Sequence, residues 1–377
     1  MNLCRSITRA ALVAAAGIAV AAGVSAGRLA LAAPETAAIV NRGVVELETG
    51  PADDVSVRMA AEIASIIDDG ATRRVVPVVG KGPLQNLVDL KYLRGIDLAI
   101  VQADALDYAK SQNFLPGVAA LTYVTRLYNE EFHLLARPDI KSVKDLAGQT
   151  VNVDVKGSGT AVTASRLFGL LGINAKFATD RQAVALQKLR QGEIAALAYV
   201  AAEPAPFFQA LKAGTGLHLL AIPLVQAVTA VYAPTRITAA DYPNLVSPDG
   251  PIDTIAVGNV LMAADLRGLP QRDRNLSNFI DTFFTGFQGL LAPGYDAKWR
   301  EVNIAADLPG WTRTPAAAEW LRDNPQVAAM PNLAALKTLF SRFIDERRQA
   351  SGGAPMSPAD KAALFQQFES WQRGQAR

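Results

Sequence analysis

Cysteine is nearly absent: the chain has one, Cys4, in 377 residues. A disulfide framework and a cysteine-based zinc site are both excluded. Histidine is almost as scarce. His133 and His218 lie 85 positions apart and leave little material for a metal centre. Each sits in an apolar strand-like run and reads as a core histidine. Aromatic residues make up only 7% of the chain. Charge of one sign is lacking too, with 37 Lys and Arg against 35 Asp and Glu, so no basic face is available to hold nucleic acid. No P-loop occurs, because Gly80-Lys81-Gly82 runs into Pro83. Ser56, Ser158 and Ser165 have no G-x-S-x-G context and no histidine partner. These absences lean away from metal, thiol and acyl-transfer enzymes. No cofactor is implied.

Half of the residues are hydrophobic, enough for a sizeable core. An uncharged, alanine-rich run stands near the N-terminus. Arg5 and Arg9 precede an apolar Ala10–Ala26, and small-x-small sites follow at Val24-Ser25-Ala26 and Ala30-Leu31-Ala32. This is the layout of a cleaved export signal over residues 1–32. The run of 17 residues is short of the roughly 20 that a membrane span needs. Cleavage after Ala32 leaves 345 residues with no cysteine, and 34 basic against 35 acidic residues give a net charge of −1. The expected location is the periplasm.

The remainder alternates strand and helix signals. Val44–Thr49, Arg74–Val79 and Asp97–Gln102 read as strands, with helices over 55–67 and Leu84–Leu93 between them. This is a β-α-β-α-β unit that predicts a parallel sheet. Asp53 or Asp54 caps the first helix. A second unit follows: strands Phe132–Ala136, Val151–Val155, Lys176–Thr179, Ala195–Val200 and Leu217–Ile222, with a helical turn at Ser142–Leu146 and helices at 157–171, Arg181–Arg190 and Pro204–Ala213. A long β-rich run, Ile252–Met262, then gives way to helices at Asn275–Leu291, Pro315–Leu321, Asn332–Arg348 and Pro358–Ser370. Phe279, Phe283, Phe284 and Phe287 share one face of the first of these and read as core.

In open α/β sheets ligands sit beyond the carboxyl ends of the strands. Here those ends supply Gly50 and Ser56; Gly80, Lys81, Leu84 and Gln85; Gln102 and Asp104; Gly157, Ser158, Gly159 and Thr160; and Glu203. Several open helices whose free N–H groups favour an anion. Gly157–Thr160 reads either as a carboxylate or phosphate cradle or as an ordinary strand–helix turn with hydroxyl capping. With Asp180 downstream it also approaches a dinucleotide fingerprint, but Val162 stands where the third glycine belongs.

Taken together, these segments resemble the TAXI-type solute-binding proteins of TRAP transporters, from about Val44 to about Asn324. Asn86-Leu87-Val88-Asp89-Leu90 followed by Asp97-Leu98-Ala99-Ile100-Val101-Gln102-Ala103-Asp104 is similar to one family segment. Ser142–Gln149 with Gly157-Ser158-Gly159-Thr160 is similar to a second, and Leu189–Ala196 with Pro204-Ala205-Pro206 to a third. Asp241-Tyr242-Pro243 before Ile255-Ala256-Val257 also fits. The resemblance implies an α/β, bilobal periplasmic-binding-protein-like fold of type II, two β/α lobes joined by hinge strands with extra C-terminal helices. It places lobe 1 at 39–136, lobe 2 at 137–250, a return to lobe 1 with C-terminal helices at 251–330, and a helical extension at 331–377. It implies a monomer and no catalysis. A small organic acid (a dicarboxylate, 2-oxoacid or glutamate-like solute) would be gripped between the lobes, by Ser158, Thr160, Gln102 and helix-start N–H groups, and delivered to TRAP membrane subunits. An ABC importer, a sensor kinase or an exported nucleotide-dependent enzyme is the alternative. The sequence departs from the family after Thr49-Gly50, where Pro51-Ala52-Asp53-Asp54 replaces a Gly/Thr-rich loop. Two acids there would repel a carboxylate unless Lys81, Arg58 or Arg126 offsets them.

Overall fold

A computed structural model describes residues 36–328. The expected signal, the expected helices at 332–348 and 358–370 and the extension beyond 331 lie outside the described residues.

The chain first lays down β1 (Val44–Thr49), α1 (Val55–Ile67), β2 (Arg74–Val79), α2 (Pro83–Tyr92), β3 (Ile96–Gln102) and α3 (Ala103–Ser111). β1 lies between β2 and β3 and is parallel to both, as the alternating pattern predicts. β3 is buried at every position, because helices cover both of its faces. Asp54 caps α1 by accepting from the Ser56 N–H at 2.7 Å. Pro83 opens α2, where a missing N–H costs nothing.

Next comes β4 (Thr122–Ala136), three times as long as the strand expected at Phe132–Ala136. Its first ten residues hold Thr122, Thr125, Arg126, Asn129, Glu130 and Glu131, with no period-2 apolar signal. They are strand all the same, because a neighbour pairs with them along most of their length.

The second group is β5 (Thr150–Asn152), α4 (Gly159–Leu170), β6 (Lys176–Ala178), α5 (Gln182–Gln191), β7 (Ala196–Ala201), β8 (His218–Leu219) and β9 (Ala233–Ile237). β5 is parallel to β6 and β7. The helix expected over Pro204–Ala213 is reduced to Pro206–Gln209. Here the Ala205 N–H is held by the Tyr242 hydroxyl at 2.7 Å. β10 (Ile252–Ala263), α6 (Pro270–Gly286) and α7 (Pro315–Asp323) complete the described chain. Phe279, Phe283, Phe284 and Phe287 are core, packed with Trp299.

All ten strands form one sheet with central order β2-β1-β3-β10-β4-β7-β5-β6. It is mixed rather than parallel throughout. β10 runs antiparallel to β3, β4 and β9, and β4 runs antiparallel to β7 and β8. These two long strands serve both β/α groups. β4 pairs with β10 up to Glu131 and with β7 from Glu131 onward. β10 pairs with β9 up to Ala256 and with β3 from Asn259 onward. Two apolar clusters cover the two faces of the first lobe and two more cover the second. The fold is therefore α/β and bilobal, with two crossing strands between the lobes. Register shifts at Gly258/Val260 and Leu261/Met262 in the β10–β4 pairing mark the crossing.

Candidate functional site

The lobes meet along a seam at the carboxyl ends of β1, β2, β3 and β5. The seam has two flanks of different chemistry.

On the first flank, most of the expected ligand groups are already engaged with the protein itself. The Ser56 hydroxyl accepts from the Gly50 N–H at 2.8 Å. Ser158 caps α4, its Oγ accepting from the Ala161 N–H at 3.2 Å. The Thr160 Oγ1 accepts from the Val200 N–H at 3.0 Å. Gln85 is exposed and donates to Asp89 at 2.7 Å, and Leu84 packs against the apolar cluster beneath α2. Gly80 is a place of close approach: a Cβ there would lie 2.4 Å from the Thr49 carbonyl oxygen. Gly157 takes a left-handed turn at φ 86°. A Cβ at Gly82 would sit 3.4 Å from the Gly157 carbonyl and the Ser158 Cα, so the two lobes already touch here. Lys81 and Lys156 are exposed and make no ion pair with a described residue.

This flank is acid-rich. Gln102 is buried and donates through Nε2 to Glu130 Oε2 at 2.5 Å. Its carboxamide fills the place a side chain on Gly159 would take, and its Oε1 has no partner. Burial pushes the Glu130 carboxyl far above the ordinary range, and the nearby Asp54 carboxyl pushes it further. Burial also raises Asp54. Asp154, on the second lobe, is raised by burial and by Asp53 across the seam. Four acids (Asp53, Asp54, Glu130 and Asp154) together raise the Tyr199 hydroxyl beyond what its burial does. The close-set carboxyls of Asp54 and Glu130 are favoured in a protonated form, since like charges taken out of water destabilise one another. An organic anion gripped by the Gly157–Thr160 hydroxyls, as the sequence suggests, would meet engaged hydroxyls and opposed carboxyls.

Glu203 belongs to neither flank. Its N–H donates to Glu131 at 2.8 Å, and its carboxyl is pushed up to about 9 by burial and by Glu131. Lys298 reaches the same Glu131 at 2.9 Å from after α6. His133 is buried beside this group. It shares a hydrogen bond with the Tyr242 hydroxyl at 2.9 Å and stacks on Phe208. Burial lowers its imidazole to about 4, so it is a neutral core residue as expected.

The second flank starts at Asp104, the second residue of α3. Its Oδ2 accepts from the Thr163 hydroxyl of α4 at 2.6 Å and from the Tyr232 hydroxyl at 3.0 Å, so one carboxyl ties lobe to lobe. Asp107, one turn on, pairs with Arg166 of α4 at 3.0 Å. Arg166 also lies over the Tyr232 ring at 5.9 Å. Beneath these contacts is a pocket of about 110 Å³, walled by α3, α4, Tyr232 and the crossing strands at Arg126, Asn129 and Gly258.

Of these residues the sequence marks Asp104 as a site residue and Arg126 only as a neutralising charge. It does not mark Glu130, Arg166 or Tyr232. Their signal was faint: Arg126 and Glu130 stand in a polar stretch of β4 that has no strand periodicity, and Arg166 and Tyr232 lie outside the loops at strand ends.

The match that assigns a family runs from residue 47 to residue 266. The chain belongs to the NMT1-like family. The matched span takes in both β/α groups and both crossing strands. Among solved structures, the periplasmic binding protein BugD is similar at 15% identity, over 76% of this chain and 95% of that one, with a TM-score of 0.44. The alkanesulfonate-binding protein SsuA of Xanthomonas axonopodis pv. citri, bound to MOPS, shares 15% identity over 89% and 93% of the two chains, with a TM-score of 0.41. The periplasmic aliphatic sulphonate binding protein SsuA of Escherichia coli shares 17% over 88% and 92%, with a TM-score of 0.39. These likenesses are too distant to carry a ligand or a partner across to this member of the family.

Proposed function

We propose that this NMT1-like protein is an exported solute-binding subunit of a TAXI-type TRAP transporter. It captures a small organic anion between its lobes and presents it to the membrane permease. No covalent step is involved. The observation that carries the reading is the construction of the seam. Two lobes, each largely with its own apolar clusters, are connected among the described residues by two long strands, and beside the apolar contact of Val162 they meet through polar contacts such as Asp104–Thr163 and Asp107–Arg166. The exposed Asp107–Arg166 pair exchanges readily with water, and the buried Asp104–Thr163 bond is a single contact, so the lobes can part and close about the crossing. The N-terminal signal and the motif order shared with the TAXI family support the same reading.

Binding to the folded form alone raises the melting temperature, by a stabilisation that grows with the logarithm of free ligand above the dissociation constant. Thermal shift of the secreted protein against succinate, 2-oxoglutarate and glutamate is the direct test. A rise with at least one of them is expected. A flat response to all three would refute the organic-anion reading.

A further inference from the structure

We propose that the carboxylate of the captured solute binds in the pocket at the strand crossing, on Arg126 and Asp104, and not on the Gly157–Thr160 loop. The inference rests on the solute-capture reading above and gives it a site.

Arg126 is the first observation. It is half-buried on β4, and its guanidinium makes no hydrogen bond or ion pair with a described residue. A guanidinium is charged at any pH the protein meets and carries five donors in a planar fork. Partly withdrawn from water and without an acceptor, it is unsatisfied until a solute or water supplies one. Its Nη2 would lie 3.2 Å from a Cβ at Gly258, so the absence of a side chain there leaves room for the fork. A carboxylate matches that fork with two parallel hydrogen bonds. Arg166, the other cation of the pocket, is occupied by Asp107.

Asp104 is the second, independent observation. It is 4% exposed and lines the same pocket. Both hydroxyl donors, Thr163 and Tyr232, converge on Oδ2, while Oδ1 is buried without a partner. Burial raises this carboxyl. With Oδ2 accepting twice, Oδ1 is the atom left to carry a proton, and in this proposal it donates that proton's hydrogen bond to the solute carboxylate once the solute enters between the lobes. The groups facing Asp104 are Thr163 and Arg166 of α4, Tyr232, Asp107 of its own helix, and across the pocket Arg126 and Asn129. Loss of that proton places a negative charge beside the solute, so affinity falls as pH rises. The walls come from both lobes and both crossing strands, and the filled pocket exists only when the lobes are together.

The experiment is calorimetric titration of the mature protein with succinate, 2-oxoglutarate and glutamate, at pH 6 and pH 9. Whichever probe binds should bind at least tenfold more weakly to Arg126→Gln, with Arg126→Lys between the two. Asp104→Asn keeps a permanent donor at that place, so it should retain binding at pH 6 and lose the fall between pH 6 and pH 9. Ser158→Ala should bind within twofold of the parent. Parent-like affinity in Arg126→Gln overturns the site while leaving solute capture intact, as does loss of binding in Ser158→Ala. Failure of the parent to bind any probe overturns capture of an organic anion altogether. If glutamate alone binds and Asp104→Asn abolishes it, Asp104 is accepting from an ammonium, and the proton donation proposed here is wrong.

Discussion

The two flanks of the seam use carboxyl groups in opposite ways. On the first, Asp54, Glu130 and Asp154 converge without an ion pair to a described basic residue, and Gln102 and the loop backbones fill the remaining space. On the second, Asp104 and Asp107 each have donors from the facing lobe, and an open pocket with an unengaged guanidinium remains. A count of acids therefore says little about what a cleft accepts. What matters is whether each carboxyl already has a donor and whether a cation is left over. The packed flank holds the lobes together at the cost of burying acids; the open flank ties them through hydroxyl and guanidinium donors and keeps a place for a ligand.

The sharpest way to break the packed flank is Gly80→Ala. The added methyl would lie 2.4 Å from the Thr49 carbonyl oxygen, which is backbone and cannot swing away. A loss on the order of 1–3 kcal/mol, read from the urea midpoint, is expected. An unchanged midpoint would show that this approach is loose. On the open flank, Asp104→Ala removes the acceptor of the Thr163 and Tyr232 hydroxyls. It should lower stability by about 1–3 kcal/mol and enlarge the radius of gyration in solution scattering as the lobes part. A parent-like scattering curve would argue that α3 and α4 stay together without the latch.

The buried acids in and beside the packed flank should also make stability depend on pH. Glu48, at the end of β1, is pushed up to about 8 by burial, and Glu203 to about 9. Asp54 and Glu130 are raised as well. For an acid whose pKa is raised on folding, the stabilisation is complete below the unfolded-state value near 4 and is lost as pH climbs through the folded-state value. The melting temperature should therefore drop by a few degrees between pH 5 and pH 9. Glu130→Gln should flatten part of that slope, whereas a rise toward pH 9 would contradict the protonated seam. The smallest effect belongs to Ser158→Ala. Loss of the α4 cap should cost about 1 kcal/mol in denaturant melts. A cost near zero would mean that its hydroxyl does not act as the cap.

Much of the scaffold was legible in advance because it follows local rules. Val44–Thr49, Arg74–Val79 and the strand ending at Gln102 are apolar runs bounded by glycine or proline, and Asp54 and Ser158 stand where cap residues belong. The strand β4 was legible only at its apolar end. Its polar half is held by pairing with β10, a partner more than a hundred residues away in the chain. The site followed the same division. The loops at strand ends were found because glycines and hydroxyls mark them. Their hydroxyls proved to satisfy backbone groups, which no local pattern distinguishes from hydroxyls left free for a ligand.

By itself the sequence determined the β/α alternation, the helix caps, the neutral core histidine and the scarcity of thiol and metal ligands. Each is set by residue type and near neighbours. Only the tertiary structure decided that one mixed sheet carries both lobes, that Glu130 meets Asp54, and that Asp104 finds Thr163 while the Arg126 guanidinium finds no partner among the described residues. Those outcomes depend on which groups reach each other after the chain has crossed twice, because hydrogen bonds and charge pairs act over a few ångströms of space and not along the sequence.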